Sequence, residues 1–118
     1  MEDRFKFRFW NNKNMIYDDI PHLELYNSDD YIWQQCTGLK DKNGKLIYEG
    51  DICKLWSDEW ESIKEVIYKD CSFHFRKPNS MQADSPLYCY AIDYLGHFKH
   101  INIEIIGSIY ENKDLLNA

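Results

Sequence analysis

Four residues with metal-binding side chains stand in two closely spaced pairs: Cys71 with His74, and His97 with His100. A thiolate and three imidazoles form a donor set that zinc accepts in tetrahedral sites. Residues three apart point to opposite faces of a strand, so each pair would have to lie on a turn to converge. Because the spacing matches no zinc motif, we predict no metal site and no other cofactor.

The segment at residues 4–10 alternates strictly between two kinds of side chain. Phenylalanines at 5, 7 and 9 share one face of an extended chain, and the other face carries Arg4, Lys6, Arg8 and Trp10. Cations beside a ring that stacks on bases are typical of single-strand nucleic-acid binding. The competing interpretation is a half-buried strand whose phenylalanines fill a core and whose cations are solvated. We favour this second interpretation and keep nucleic-acid binding as the alternative function.

Two carboxylates and two tryptophans in the middle of the chain are further candidates for an interaction surface. Glu49 and Asp51 flank Gly50, and a charged loop that enters a strand can line a ligand groove. The same carboxylates could instead belong to a tight turn in which Asp51 accepts hydrogen bonds from local backbone amides. Trp56 and Trp60 mark a binding surface if exposed and close one end of a core if buried. The sequence favours the tight turn for Glu49 and Asp51, and it does not decide between surface and core for Trp56 and Trp60.

No spacing indicates catalysis. A cysteine, a histidine and a carboxylate are all present, but nothing in their order marks an activated nucleophile. Adjacent carboxylates diverge along an extended chain, and the five glycines are too scattered to form a phosphate-binding loop. We therefore predict no catalytic residues and a protein that is not an enzyme.

Composition narrows the class of protein. The 118 residues carry 14 basic and 20 acidic side chains, a formal net charge of −6, which argues against a general nucleic-acid coat. The N-terminus has no signal-peptide pattern, and the longest apolar run, at 87–92, is far shorter than the roughly 20 residues of a membrane-spanning helix. We expect a single cytoplasmic domain over residues 1–118 without membrane contact. Its cysteines are expected as free thiols: Cys36, Cys53, Cys71 and Cys89.

The elements that must position these residues are short strands joined by turns. Residues 11–14 predict a hairpin, and Asn43 with Gly44 suits a type I′ turn, in which both central residues have positive φ. A second hairpin is predicted around residues 69–71, a bend at Gly50, and a last helical turn from Asn112 to Leu116. Strands are indicated at 4–10, 15–17, 31–33, 52–56, 63–68, 72–76, 87–92 and 101–105. Since no segment of a dozen residues holds a helical period, we expect a small β-barrel or sandwich.

Three blocks of the chain resemble the YopX family of phage and prophage proteins. Residues 6–10 with 15–17 are similar to the opening of that family. Residues 37–45 followed by 47–52 resemble its most recognisable block, and residues 104–112 resemble its C-terminal signature. Two positions depart from the pattern: Lys113 stands where the family usually has proline, and Phe9 stands where a small residue commonly precedes the tryptophan.

The resemblance implies a mainly β fold, with a small SH3-like barrel core, an N-terminal β elaboration and a short C-terminal helical turn. It implies no activity, because the family is chiefly known as phage proteins of unknown function. We expect an accessory protein of the host cytoplasm that binds a host or phage protein and assembles with copies of itself. The alternative is a single-stranded nucleic-acid-binding protein that uses the basic-aromatic first strand.

Overall fold

A computed structural model describes residues 6–18, 29–58, 60–69, 71–77, 101–112 and 114–115, and these ranges contain eight β-strands. They are β1 (Phe7–Trp10), β2 (Met15–Asp18), β3 (Ile32–Lys40), β4 (Leu46–Tyr48), β5 (Asp51–Trp56), β6 (Glu61–Lys69), β7 (Ser72–Arg76) and β8 (Asn102–Ser108). Every pairing among these strands is antiparallel. The prediction of a mainly β domain is confirmed.

The strands form two four-stranded sheets, one in the order β2-β1-β3-β4 and the other in the order β7-β6-β5-β8. The chain passes from the first sheet to the second through residues 49–51, which we call the 49–51 corner. At its centre Gly50 has a φ of +89°, a left-handed conformation that favours glycine. The N–H of Gly50 donates to the carbonyl of Val66 and its own carbonyl accepts from Ile109, both at 2.9 Å. The predicted bend is therefore confirmed, and hydrogen bonds join it to β6 and to the residue that follows β8.

The main apolar core is formed by one face of the second sheet together with Ile47 of β4 in the first sheet. Its five buried members are each at most 1% exposed: Ile47, Cys53, Leu55, Val66 and Phe75. Burial of a large apolar side chain contributes about 1.5–3 kcal/mol to the free energy of folding, so this cluster is a major source of stability. In the first sheet Phe9 is fully buried, with its ring 5.3 Å from that of Trp33 in an edge contact. The expected core role of Phe9 is confirmed, whereas Phe5 lies outside the described residues.

Both predicted hairpins are present. Between β1 and β2 the side-chain oxygen of Asn11 accepts the N–H groups of Lys13 and Asn14 at 2.9 and 2.7 Å. Asn12 takes the positive φ of 76° that lets this short turn close. Between β6 and β7 the corresponding residue is Cys71, with a φ of 64°. Asparagine tolerates this conformation well, which explains why polar turn residues indicated the first hairpin so clearly.

The type I′ turn predicted at Asn43 and Gly44 is wrong. Gly44 has a φ of +81°, but Asn43 does not lie in the positive-φ region that this turn requires. The Asp41 carboxylate organises a wider loop instead, because one oxygen accepts the N–H groups of Asn43 and Lys45, each at 2.9 Å. Its second oxygen accepts the N–H of Ile105 at 3.1 Å. The loop is thereby fastened to β8.

Strand β3 is longer than predicted, and the C-terminal turn is not confirmed. Gly38, with a φ of +84°, lies in an irregular stretch of β3 where the register with β4 shifts, so the turn-rich composition there makes a bulge rather than an end. The N–H of Asn112 donates to the carbonyl of Ser108 at 2.9 Å, and the N–H of Leu115 donates to the carbonyl of Asn112 at 3.0 Å. No α-helix occurs in the described ranges.

Other predictions are left open. The strand expected at 87–92 lies outside the described residues, and the SH3-like detail of the barrel stays a prediction. Within the part of the chain that the structure describes, no helix has the length and apolar character needed to cross a membrane.

Candidate binding cleft beside a buried ion pair

Arg8 is buried, with 2% of its surface exposed, so its predicted place on a solvated or nucleic-acid-binding face is wrong. Its Nη1 lies 2.8 Å from an oxygen of Asp51, and its Nε donates to the side-chain oxygen of Gln34 at 2.6 Å. Its Nη2 donates to the backbone carbonyl of Glu49 at 3.2 Å. The polar face of β1 therefore packs on the 49–51 corner instead of facing water.

The ion pair between Arg8 and Asp51 is a structural element of this corner. The second Asp51 oxygen accepts the N–H of Tyr48 at 2.7 Å, which confirms the prediction of a tight turn bonded to its own backbone. The Arg8 guanidinium also lies 4.9 Å from the centre of the Tyr48 ring. Such a pair repays the cost of removing two charges from water only when their remaining hydrogen bonds are made. Among the described residues no buried side-chain polar atom lacks a partner.

A cleft of about 290 Å³ opens beside the 49–51 corner. Three apolar residues, Val66, Ile67 and Ile109, contribute to its lining together with Gly50. Strands β6 and β7 supply one side, and the corner and the residues after β8 supply the other. The charged and aromatic groups that line the cleft are Glu49, Glu65, Tyr68, Lys69, Arg76 and Tyr110.

Two groups of the cleft are shifted toward their neutral forms. Burial raises the pKa of the Glu49 carboxyl, although a backbone N–H of Gln35 and the charge of Arg8 act in the opposite direction. Burial also raises the pKa of the Tyr110 phenol, and the nearby Glu49 carboxylate adds to that rise. In both cases desolvation is the largest cause, because a charge is less stable where water is excluded.

The remaining charges of the cleft are partly compensated within the protein. Arg76 donates from Nε and from Nη2 to one oxygen of Glu65, at 3.0 and 2.7 Å. The Glu65 side chain is buried and the Arg76 side chain is about one-third exposed. Lys69 is exposed at the end of β6. The pair formed by Glu65 and Arg76 therefore presents little net charge to a ligand.

Two tyrosines that sequence reasoning did not single out as site residues form the aromatic part of the cleft. Tyr110 is half-buried and stacks on Trp10, with ring centres 6.1 Å apart. Tyr68 is 52% exposed and its ring makes an edge contact with Phe73 at 5.1 Å. The one signal in the sequence was that Tyr110 lies in the C-terminal block, residues 104–112, that resembles the family signature. Nothing in the local sequence shows that this block returns to the 49–51 corner.

The other predicted surface residues do not gather at this cleft. Trp10 supports the ring of Tyr110 and so is not an open stacking platform. Trp56 is half-buried, with the ammonium groups of Lys42 and Lys54 at 5.0 and 5.3 Å from its ring centre, and Trp60 is 39% exposed on the connector before β6. Lys6 is half-buried just before β1, and Arg4 lies outside the described residues.

The cysteine and histidine candidates are also apart from the cleft. His74 Nε2 lies 2.8 Å from the hydroxyl of Ser72 and 3.1 Å from the carbonyl of Lys69. The described cysteines form no disulfide: Cys71 is exposed, and Cys36 and Cys53 are buried, with burial raising the pKa of the Cys53 thiol. The described ranges contain no group of three ligands that could hold a metal ion. The predictions for Cys89, His97 and His100 fall outside those ranges.

Comparison with solved structures shows that this arrangement of strands recurs. A crystal structure of protein EF1440 from Enterococcus faecalis is similar over 94% of this chain and 96% of its own, with 26% sequence identity and a TM-score of 0.60. A crystal structure of protein yopX from Bacillus subtilis is similar over 95% of this chain and 98% of its own. Its TM-score is 0.62 and its identity is 20%, so it supports the fold alone.

Comparison of sequences carries the assignment further. The family model described as YopX protein matches residues 11–117. The SPbeta prophage-derived uncharacterized protein YopX of Bacillus subtilis (strain 168) is 35% identical over 77 residues, which cover 64% of this chain and 53% of that protein. The match thus spans about half the length of this relative. The chain belongs to the YopX family, of which the Bacillus subtilis relative is an uncharacterised prophage protein.

Proposed function

We propose that this chain is a non-enzymatic module that binds a protein partner through the cleft lined by Glu49, Tyr68 and Tyr110. The observation that carries the proposal is the convergence of an exposed and a half-buried tyrosine with charged side chains around about 290 Å³. Tyrosines with polar neighbours are enriched at protein interfaces and at their energetic centres. The volume is near the lower end of small-molecule pockets, and it suits a few side chains of a partner.

The rigidity of the 49–51 corner supports this role. The ion pair between Arg8 and Asp51 and the two backbone bonds of Gly50 hold the corner in one conformation. A binding surface that is already ordered before the partner arrives loses less conformational entropy on association. The buried ion pair therefore serves binding by fixing the side chains on the cleft wall.

The types of side chain in the cleft favour binding over chemistry. Its described lining contains no serine, threonine, cysteine or histidine, so a hydroxyl or thiol nucleophile activated by a histidine base cannot be assembled from it. The nucleic-acid alternative is weakened because Arg8, one of the cations it requires, is buried and paired with Asp51. The identity of the partner, a host or a phage protein, and assembly with further copies of this chain stay predictions.

Recovery of a tagged chain from its bacterial host cells tests the proposal. Tyr68→Ser removes the exposed ring of the cleft, and Trp60→Ser is the matched control because it removes an exposed ring elsewhere. We expect a partner protein that survives nuclease treatment, is retained by W60S and is reduced at least tenfold by Y68S. Recovery that depends on nuclease-sensitive material, or that Y68S leaves unchanged, would overturn the proposal.

A further inference from the structure

We infer that the cleft receives a cationic side chain of the partner, an arginine or a lysine, with Glu49, Tyr68 and Tyr110 as its contacts. This inference rests on the proposed function and names the chemistry of the partner at the same site. Among the described residues that line the cleft, Glu65 is paired with Arg76, whereas the Glu49 carboxylate forms no ion pair with an arginine side chain.

The Glu49 carboxylate is half-buried on the wall of the cleft. Arg8, whose charge acts to lower the pKa of Glu49, is engaged with Asp51 at 2.8 Å and donates to Glu49 only at the backbone carbonyl. Burial therefore outweighs the groups that lower the pKa of Glu49. A cation that enters the cleft would compensate this partly desolvated charge, whereas an anion would meet repulsion.

The rings of Tyr68 and Tyr110 are the second part of the recognition chemistry. Guanidinium and ammonium groups are attracted to the faces of aromatic rings within about 6 Å. This fold already makes such contacts internally, since Arg8 lies 4.9 Å from the centre of the Tyr48 ring and Lys42 lies 5.0 Å from that of Trp56. A carboxylate together with two rings is a combination that selects a cation over a neutral polar side chain.

The two carboxylates and two cations that line the cleft balance in number, and the net charge of the whole chain favours a cationic partner. Glu65 and Arg76 neutralise each other through two hydrogen bonds. Lys69 is exposed, where water screens its charge most strongly. The whole chain carries a formal charge of −6, so its long-range field attracts cationic rather than anionic partners.

Titration of the ¹⁵N-labelled protein with three capped tripeptides tests the inference by NMR. The central residue of the probes is arginine, its neutral isostere citrulline, or glutamate, each at up to about 10 mM, well above a Kd of about 1 mM for a weak ligand. We expect the arginine peptide to shift the amide signals of Gly50 and Tyr110. The citrulline peptide should bind at least about threefold more weakly, and the glutamate peptide should leave these signals in place.

Two variants complete the design. Glu49→Gln keeps the shape of the side chain and should weaken the arginine peptide by at least about threefold. The control Glu61→Gln makes the same change at an exposed carboxylate outside the cleft lining and should leave the affinity unchanged. Both must retain the dispersed spectrum of the folded protein. Equal binding of arginine and citrulline, shifts with the glutamate peptide, or no shifts with any peptide would each overturn the inference.

The outcomes also separate the inference from the proposed function. Partner recovery that depends on Tyr68 but not on Glu49, with no selection for arginine, would support the proposed protein-binding function. It would overturn the inference that the cleft receives a cationic side chain. Arginine-selective shifts at the cleft, combined with equal partner recovery by wild type and Y68S, would support the cation site and overturn the proposed function.

Discussion

Glu49 and Asp51 are two carboxylates separated by one residue, and the structure gives them opposite roles. Asp51 is 2% exposed and bonded to Arg8, whereas Glu49 is half-buried on the wall of a cleft. In a regular strand, residues two apart share a face. Here Gly50 turns the chain with a φ of +89°, so the two side chains part. One bend therefore produces a structural ion pair and a surface that can bind a partner.

Removal of the Asp51 carboxylate is expected to have the largest effect. Asp51→Ala leaves the Arg8 guanidinium buried without its counter-charge and deprives the Tyr48 N–H of its acceptor. Such a change costs about 3–5 kcal/mol in the free energy of unfolding. Urea denaturation followed by far-ultraviolet circular dichroism measures the loss. If D51A costs no more than E49Q, the two carboxylates do not differ as described.

A double variant separates the lost pair from lost packing. Replacement of Arg8 by methionine together with Asp51 by leucine removes both charges and keeps much of the volume. Buried ion pairs exchanged for apolar groups in this way are often neutral in stability. We expect the double variant to recover about 2 kcal/mol or more relative to D51A in the same denaturation experiment. No recovery would mean that the hydrogen bonds of Asp51, rather than the charge pair, stabilise the corner.

The bend itself comes next in expected size. Gly50→Ala imposes a strained positive φ and places a methyl group 3.1 Å from the Tyr110 ring and 3.3 Å from the Gln34 side-chain oxygen. We expect a loss of about 2–3 kcal/mol. Gly44→Ala is the matched control, because its φ is +81° but nothing lies within 4 Å of the added group. It should cost only about 1 kcal/mol. Equal losses would show that the crowding at Gly50 is immaterial.

Neutralisation of Glu49 is expected to have the smallest effect and the opposite sign. Burial raises the pKa of Glu49 above its ordinary value of 4.5, so the folded state holds the proton more tightly than the unfolded state. The stability linked to this proton is present below pH 4.5 and is lost as the pH rises through the folded pKa.

At pH 7, therefore, Glu49→Gln should be more stable than wild type. Because the carboxylate is partly solvated and screened, we expect a gain of less than about 1 kcal/mol. The gain should shrink as the pH falls toward 4.5, which urea denaturation at several pH values can follow. A variant that is less stable than wild type at pH 7, or a gain that grows toward acid, would contradict this prediction.

Local patterns predicted the elements well where short-range rules apply. Residues 11–14 gave the first hairpin because the Asn11 side chain caps its own turn, and Gly50 gave the bend because its backbone needs a positive φ. The turn at Asn43 and Gly44 was mistyped, since the Asp41 carboxylate organises that loop through local backbone bonds and also holds it to Ile105, 64 residues away. Side-chain bonds of this range leave no trace in local spacing.

By itself the sequence determined the β class, the family, the hairpins and the core position of Phe9, because these follow from alternation and turn chemistry along short segments. Only the tertiary structure decided that Arg8 is buried and that Tyr110 joins Glu49 at a cleft. Alternation shows which residues share a face but not what covers that face. Here the 49–51 corner covers the polar face of β1, which turned an expected surface cation into half of a buried ion pair.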